Sequence, residues 1–129
     1  MPVILKQFPD EPIVVQTMSP DYRLLVEFPE DHPKSYALLD ELPHPVFWIV
    51  DISAVEELSM EDLLKGTKLV STGEKPLYRH PNIRQVLYVS TRDMIKVAAE
   101  GLKHDKFGNL DVQVFDSIEA ALRSAREKL

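Results

Sequence analysis

The chain has 129 residues, a net charge of -6 at pH 7 and no cysteine. Its length suits a single domain with a buried core. The acidic balance argues against a sequence-independent nucleic-acid binder, because phosphate contacts need clustered Lys and Arg. No apolar run approaches the roughly 18 to 20 residues of a membrane span, and the first residues turn polar too soon for a signal peptide. Without cysteine there is no disulfide framework, so we expect a cytoplasmic protein.

Three strand-like segments open the chain, and turn-forming residues separate them. They are Val3 to Phe8, Ile13 to Met18 and Tyr22 to Phe28. Short links between such segments predict antiparallel neighbours, so residues 1–28 are expected to form a β-meander. A short helix is expected from Pro33 to Leu42, since proline is accepted in a first helical turn.

The stretch at residues 45–53, Pro-Val-Phe-Trp-Ile-Val-Asp-Ile-Ser, holds the longest apolar run of this kind in the chain. Aromatic and β-branched residues in a short run predict a strand from Val46 to Ile52 that is buried on both faces, as in a parallel sheet covered by helices. Its carboxyl end, Asp51 to Ser53, lies where open α/β sheets usually place ligand or partner sites.

Helical and strand-like segments alternate after that strand. Helices are expected at residues 59–73, 91–102 and 116–129, and strands at residues 83–89 and 112–115. Ser59 and Asp116 each begin a capping-box pattern, and Met60, Leu63 and Leu64 mark an apolar helix face. The predicted fold is therefore a single α/β domain with a mixed sheet. N-terminal antiparallel strands precede a β-α-β-α-β-α part over residues 46–129, with helices packed on the sheet.

Three stretches carry a resemblance to a known family. They are Phe-Trp-Ile-Val-Asp-Ile-Ser-Ala-Val at 47–55, His-Pro-Asn-Ile-Arg-Gln-Val at 80–86, and Val-Gln-Val-Phe-Asp-Ser-Ile-Glu-Ala-Ala-Leu at 112–122. In these three stretches the chain resembles the SpoIIAA-like group, which is related to the STAS domain. The STAS domain is the sulfate-transporter and anti-sigma-factor-antagonist module. The resemblance spans about residues 46 to 129. It implies a small α/β domain that docks to other proteins, sometimes under phosphorylation control.

The resemblance also bears on phosphorylation. Phosphoswitched members carry an Asp-Ser-Ser-Gly-like motif at the start of the helix after the central strand, and a serine there is the acceptor. This chain has Ser59-Met60-Glu61-Asp62 at about that position, without the serine pair or the glycine. We therefore expect no serine phosphoswitch, and we expect Ser59 to act as the helix N-cap.

The candidate partner or ligand surface is built from polar residues near predicted strand ends and loops. Its members are Asp51, Ser53, Ser59, Glu61, Asp62, Arg79 and His80. Asp51 and Ser53 have a simpler alternative role, in which they hydrogen-bond within their own loop. Arg79 and His80 belong to a locally basic segment that suits an anion or an acidic partner, and a solvated loop is the alternative. That segment also contains Lys75, Tyr78 and Arg84.

Metal and cofactor sites are not indicated. The histidines, which lack metal-ligand spacing, are His32, His44, His80 and His104. The four glycines form neither a dinucleotide-binding fingerprint nor a Walker loop. Solvated or turn-capping roles are expected for the histidines.

Three functions remain open at this point. The leading hypothesis is a non-catalytic STAS-like interaction or regulatory module that binds another protein around Ser53 to Leu64. The second is a carrier of a small apolar ligand or lipid, held between helices and sheet. The third is an enzyme with Asp51 and a loop histidine such as His80 as acid and base. An edge strand near Val3 to Phe8 also predicts a homodimer that covers the exposed edge.

Overall fold

Two antiparallel strands and a helix begin the fold, and three strand-helix units follow. The computed structural model describes residues 3–8, 10–71, 77–103 and 111–129. The strands are β1 Val3–Gln7, β2 Ile13–Met18, β3 Val46–Asp51, β4 Ile83–Val89 and β5 Val112–Phe115. The helices are α1 Leu24–Glu41, α2 Met60–Ser71, α3 Asp93–Leu102 and α4 Ile118–Glu127, and a 3-10 turn spans Leu77–Arg79.

The five strands form one sheet in the order β1-β2-β3-β4-β5. β1 is antiparallel to β2, and every other neighbouring pair is parallel. The predicted mixed α/β sheet is therefore confirmed. Strands β2 to β5 run in the same direction, so their carboxyl ends meet at one edge, from which each chain segment continues into a helix. We call this the carboxyl edge and the opposite one the amino edge.

Central strand β3 is buried on both faces, as the apolar run predicted. Trp48 and Val50 pack in the larger core beneath α1, α2 and α3, whereas Phe47 and Ile49 pack in a smaller core beneath α4. All four side chains are at most 1 % exposed. Successive residues of a strand point to opposite faces, so a continuous apolar run is needed when helices cover both.

The predicted strand at Tyr22 to Phe28 is wrong, because α1 begins at Leu24 in the middle of that segment. Four positions that recur at three- to four-residue spacing are buried along α1, namely Phe28, Asp31, Ser35 and Leu39. This helical period outweighs the two-residue alternation of a strand. Residues 3–28 therefore contribute a β-hairpin and a helix start, not a three-stranded meander.

The predicted helix from Pro33 to Leu42 is the second half of α1. Pro29 and Pro33 both lie within α1 and both are exposed, so their rings point away from the core. At the first turn, Glu27 Oε2 accepts a hydrogen bond of 2.7 Å from the backbone N–H of Arg23, the N-cap residue. That bond satisfies one of the donors that a helix start leaves without an intrahelical partner.

Serine side chains cap two of the helices. Ser59 Oγ accepts a hydrogen bond of 3.1 Å from the backbone N–H of Asp62, which confirms its predicted capping role. At α4, Ser117 Oγ accepts from the backbone N–H of Ala120 at 3.2 Å. The predicted cap, Asp116, is thus one residue too early, since Ser117 has the extended backbone that turns its hydroxyl onto the first turn.

Candidate functional site

Asp51 and Ser53 form a tight turn at the carboxyl edge. Asp51 Oδ1 accepts hydrogen bonds from the backbone N–H of Ser53 at 3.1 Å and from its hydroxyl at 2.5 Å. The backbone N–H of Ile52 also donates to the carbonyl of Val89, which ties the turn to β4. Both polar side chains therefore stabilise the loop, as their simpler role predicted.

A shallow groove lies beside this turn. The backbone N–H of Glu56 donates to the carbonyl of Pro20 at 3.0 Å and joins the β2–α1 loop to the β3–α2 loop. The groove has a volume of about 140 Å³ and is lined by Pro20, Asp21, Arg23, Glu56 and Glu57. The hydrogen bond from the Ser19 hydroxyl lowers the pKa of Asp21, so this carboxyl is ionised at neutral pH. Three carboxylates against one guanidinium make the groove acidic.

Exposed apolar side chains concentrate next to the groove. Among the described residues, the large hydrophobic side chains that are exposed are Ile4, Leu25, Val26, Met60, Leu64, Val97 and Leu129. Four of these seven lie in the first two turns of α1 and α2, both of which begin at the carboxyl edge. We define the carboxyl-edge surface as these four residues together with the acids of the adjoining loop and helix: Leu25, Val26, Met60, Leu64, Glu56, Glu57, Glu61 and Asp62.

Two of these apolar residues correct the predicted helix face of α2. Leu63 is 6 % exposed and packs in the larger core, but Met60 and Leu64 are 37 % and 56 % exposed. Residues at i and i+4 lie on the same side of a helix, so Met60 and Leu64 form one outward-facing pair. Sequence reasoning missed the contribution of Leu25 and Val26, because it placed both in a strand.

Arg79 and His80 do not lie with the other candidate residues. His80 precedes β4 at the amino edge, whereas Asp51 ends β3 at the carboxyl edge. Because β3 and β4 are parallel neighbours, a full strand length of roughly 20 Å separates the two positions. Asp51 and His80 therefore cannot act on the same substrate atoms, and the acid–base pair considered from the sequence has no geometric basis.

His80 is a buried structural residue. Its Nδ1 accepts a hydrogen bond of 3.0 Å from the backbone N–H of Asn82, which places the ring proton on Nε2. Nε2 lies 2.8 Å from Asp40 Oδ1 and donates to it. The ring also packs edge-on against Tyr36, with 4.6 Å between ring centroids. The turn-capping role is thus confirmed, but the imidazole is 3 % exposed and is not solvated.

The predicted basic patch is not a continuous surface in the described residues. Tyr78 and His80 are buried, while Arg84 lies over the ring of Phe47 and donates to the carbonyl of Lys128 at 3.0 Å. Lys75 and His104 lie outside the described residues. The described residues of this segment therefore do not bring several cationic side chains together, as an anion-binding site would require.

A small cavity lies between the sheet and helices α1, α2 and α3. Its volume is about 40 Å³ and its lining is mostly apolar, with polar groups from Gln16, Tyr78 and Tyr88. The two tyrosine hydroxyls are 2.9 Å apart, and burial raises the pKa of Tyr88 to about 12. An apolar cavity of about 150 Å³ can bind benzene, and this cavity is much smaller, so it suits water-sized molecules. A lipid does not fit it.

Tyr22 and Asp31 form a second buried polar pair. The Tyr22 hydroxyl and Asp31 Oδ2 are both buried and close enough to affect each other's pKa, but no hydrogen bond of standard geometry satisfies either atom in the described part of the chain. Burial raises the pKa of Asp31, against the opposing effects of Tyr22 and Lys34. Burial and the neighbouring Asp31 carboxylate likewise raise the pKa of Tyr22 well above that of a free phenol.

This pair predicts a pH-dependent gain of stability in Asp31→Asn. Because its folded pKa is raised, the stabilisation from protonated Asp31 is fully present below the usual aspartate range and is lost as pH rises through the folded pKa. The variant cannot undergo that loss. We expect the stability difference in favour of the variant to grow between about pH 4 and about pH 7, as measured by urea unfolding.

The control for Asp31→Asn is Glu41→Gln, which removes an exposed carboxylate from the last turn of the same helix, away from Asp31. Its stability relative to the parent should change little over the same pH interval. If Asp31→Asn gave the same stability difference at both pH values, the ionisation of Asp31 would not be the source of the effect.

Two further kinds of site receive no support from the residues that the structure describes. Among them, no group of three or more His, Asp or Glu side chains is placed to hold a metal ion. No helix within the described ranges has both the length and the apolar character that crossing a membrane requires.

The element order and the sheet topology define the fold class. A mixed five-stranded sheet with parallel crossovers and four helices is the α/β arrangement of a SpoIIAA-like, STAS-type fold. The chain is similar in structure to an uncharacterized protein of the DUF3478 family with a SpoIIAA-like fold from Shewanella loihica PV-4. The TM-score is 0.62 at 14 % sequence identity, over 95 % of this chain and 91 % of that one.

A second similar structure is an anti-sigma factor antagonist from Mycobacterium paratuberculosis. It matches with a TM-score of 0.52 at 17 % sequence identity, over 96 % of this chain and 92 % of that one. No protein-family model matches the chain, and no curated protein matches it in sequence. At these identities the likeness establishes the fold, and the fold part of the resemblance seen in the sequence is confirmed.

Proposed function

We propose that this protein is a non-catalytic regulatory module that binds another protein through the carboxyl-edge surface. The observation that carries the proposal is the concentration of four of seven exposed large hydrophobic side chains on the first turns of α1 and α2. Exposed apolar groups that cluster beside polar residues are typical of protein-binding surfaces. The similarity to an anti-sigma factor antagonist supports a protein partner of a regulatory kind.

The polar groups near this surface favour binding over catalysis. Asp51 and Ser53 are bonded to each other within one turn, and the Ser59 hydroxyl accepts the backbone N–H of Asp62. A phosphate on Ser59 would also lie beside the carboxylates of Glu61 and Asp62, which would repel it. The proposal therefore includes neither a reaction nor a serine phosphoswitch. We also propose a cytoplasmic location, because a chain without cysteine has no disulfide framework.

The test is capture of the tagged protein, at its natural level of expression, from the host that produces it. The double variant Met60→Ser, Leu64→Ser should lose its specific partner by about tenfold or more, since truncating central apolar contacts commonly costs more than 1 kcal/mol. Partner recovery is quantified by mass spectrometry. Both residues are exposed, so the free energy of unfolding should change by less than about 0.5 kcal/mol per site.

The matched control is Val97→Ser, because Val97 is 58 % exposed on α3 but lies outside the carboxyl-edge surface. It should retain the partner. Equal losses in both variants, or no loss in either, would contradict the proposed surface. If the retained species were a second copy of this chain, size-exclusion chromatography would detect a homodimer, and the proposed hetero-partner would be wrong.

A further inference from the structure

We infer that the partner offers the carboxyl-edge surface a basic amphipathic segment, with an apolar face flanked by Lys or Arg. The inference rests on the proposed function and adds the chemistry of the partner. Its basis is an exposed apolar pair, Met60 and Leu64, set within an acidic part of the chain. A partner that covers this surface must complement both the apolar side chains and the negative charge.

The charge around the pair is strongly negative. Residues 51–68 contain five carboxylates and two lysines, so they carry a net charge of -3. Lys65 Nζ lies 3.1 Å from Glu61 Oε1, and Lys68 lies one turn after Leu64 on α2. Glu61 and Asp62 lie in the first turn of α2, where the helix dipole stabilises negatively charged side chains. Ionised Asp21 in the adjoining groove adds to the same negative field.

Burial of Met60 and Leu64 therefore favours a partner whose contacting face is positively charged. A neutral or acidic face that covered Met60 and Leu64 would desolvate nearby carboxylates without pairing them, which costs free energy. A face with flanking cations would pair them and would also be steered towards the surface. Nucleic-acid phosphates and anionic lipid headgroups carry the wrong sign. The complementary partner is a basic protein segment.

Two synthetic amphipathic helical peptides test the inference directly on the full chain. One has an apolar leucine face flanked by lysines, and the other has the same leucine face flanked by glutamates. In amide NMR spectra the lysine peptide should shift resonances of residues 53–66, and the glutamate peptide should not. Raising the salt concentration should weaken the binding, because salt screens exposed charges.

Charge reversal provides the matched variants. Glu61→Lys with Asp62→Lys should weaken the lysine peptide by about tenfold, through the loss of two exposed ion pairs and the repulsion that replaces them. Glu119→Lys with Glu127→Lys makes the same charge change on α4 and should bind as the parent does. Circular dichroism verifies that both variants are folded.

Three results would overturn the inference: equal binding of both peptides, shifts centred on α4, or no effect of reversal at Glu61 and Asp62. Failure of the proposed function is seen separately. If the captured partner depends on Met60 and Leu64 but not on Glu61, Asp62 or salt, the docking surface stands and the basic partner is wrong. If no captured partner depends on Met60 and Leu64, the proposed function itself fails.

Discussion

Replacing Trp48 by alanine should remove about 3 to 5 kcal/mol from the free energy of unfolding. Trp48 is fully buried on the central strand, and its Nε1–H donates to Gln16 Oε1 at 3.2 Å. The variant loses the largest buried side chain and also leaves the Gln16 carbonyl without that donor. Since small domains are stable by only about 5 to 15 kcal/mol, the loss brings the protein close to unfolding at ordinary temperatures.

The measurement is urea unfolding followed by circular dichroism, because Trp48 is the chain's single tryptophan and fluorescence would be lost with it. Trp48→Phe separates packing from hydrogen bonding. It keeps an aromatic ring in the core and should cost about 1 to 2 kcal/mol. Val97→Ala, at an exposed position, should change stability by less than about 0.5 kcal/mol. A loss below about 1 kcal/mol in Trp48→Ala would contradict the central role of this residue.

The central strand was predictable because its signal is local. A short apolar run that is rich in β-branched and aromatic residues and flanked by proline favours a strand covered on both faces over a buried helix. Shorter strand-like patterns also located β4 at Ile83–Val89 and β5 at Val112–Phe115 with the correct bounds. Where the burial of an element can be inferred from its own consecutive residues, the sequence predicts that element correctly.

The start of α1 was not predictable in the same way. Leu24, Val26 and Phe28 occupy alternate positions, as on one face of a strand, and Pro29 argues against a helix interior. The helical period becomes visible only with Asp31 and Ser35, two polar residues that are buried. A hydrophobicity pattern does not count such residues as core positions, so it selected the wrong period.

The candidate site shows a different limit. Its acids and the capping role of Ser59 follow from local patterns, and the structure places them at one edge of the sheet. The exposure of Met60 and Leu64 depends on how α2 packs against the sheet and α3, which no local pattern records. The separation of His80 from Asp51 likewise follows from the parallel pairing of β3 and β4.

Replacing His80 by alanine should cost about 3 kcal/mol, although the residue lies far from the proposed docking surface. His80 stands at a junction where three elements meet. Its ring bonds the Asn82 backbone and Asp40, and the Asn82 side chain donates to the carbonyls of Leu39 and Leu42 at 2.7 and 3.1 Å. The Asn82 carbonyl in turn accepts from the backbone N–H of Val46 at the start of β3. The imidazole therefore holds the end of α1 against the starts of β3 and β4.

Two variants identify which contact of His80 matters. Asp40→Asn keeps an acceptor for Nε2 but removes the charge, and it should cost at most about 1 kcal/mol because Asp40 is 61 % exposed. His32→Ala removes a half-buried histidine that stacks on Tyr36, and it should also cost less than His80→Ala. Urea unfolding compares all three. If Asp40→Asn were as damaging as His80→Ala, the hydrogen bond to the Asp40 carboxylate would be the stabilising contact. If only His80→Ala is severe, the buried turn at residues 80–82 holds α1 to the sheet, because loss of the ring leaves the Asn82 N–H without its acceptor.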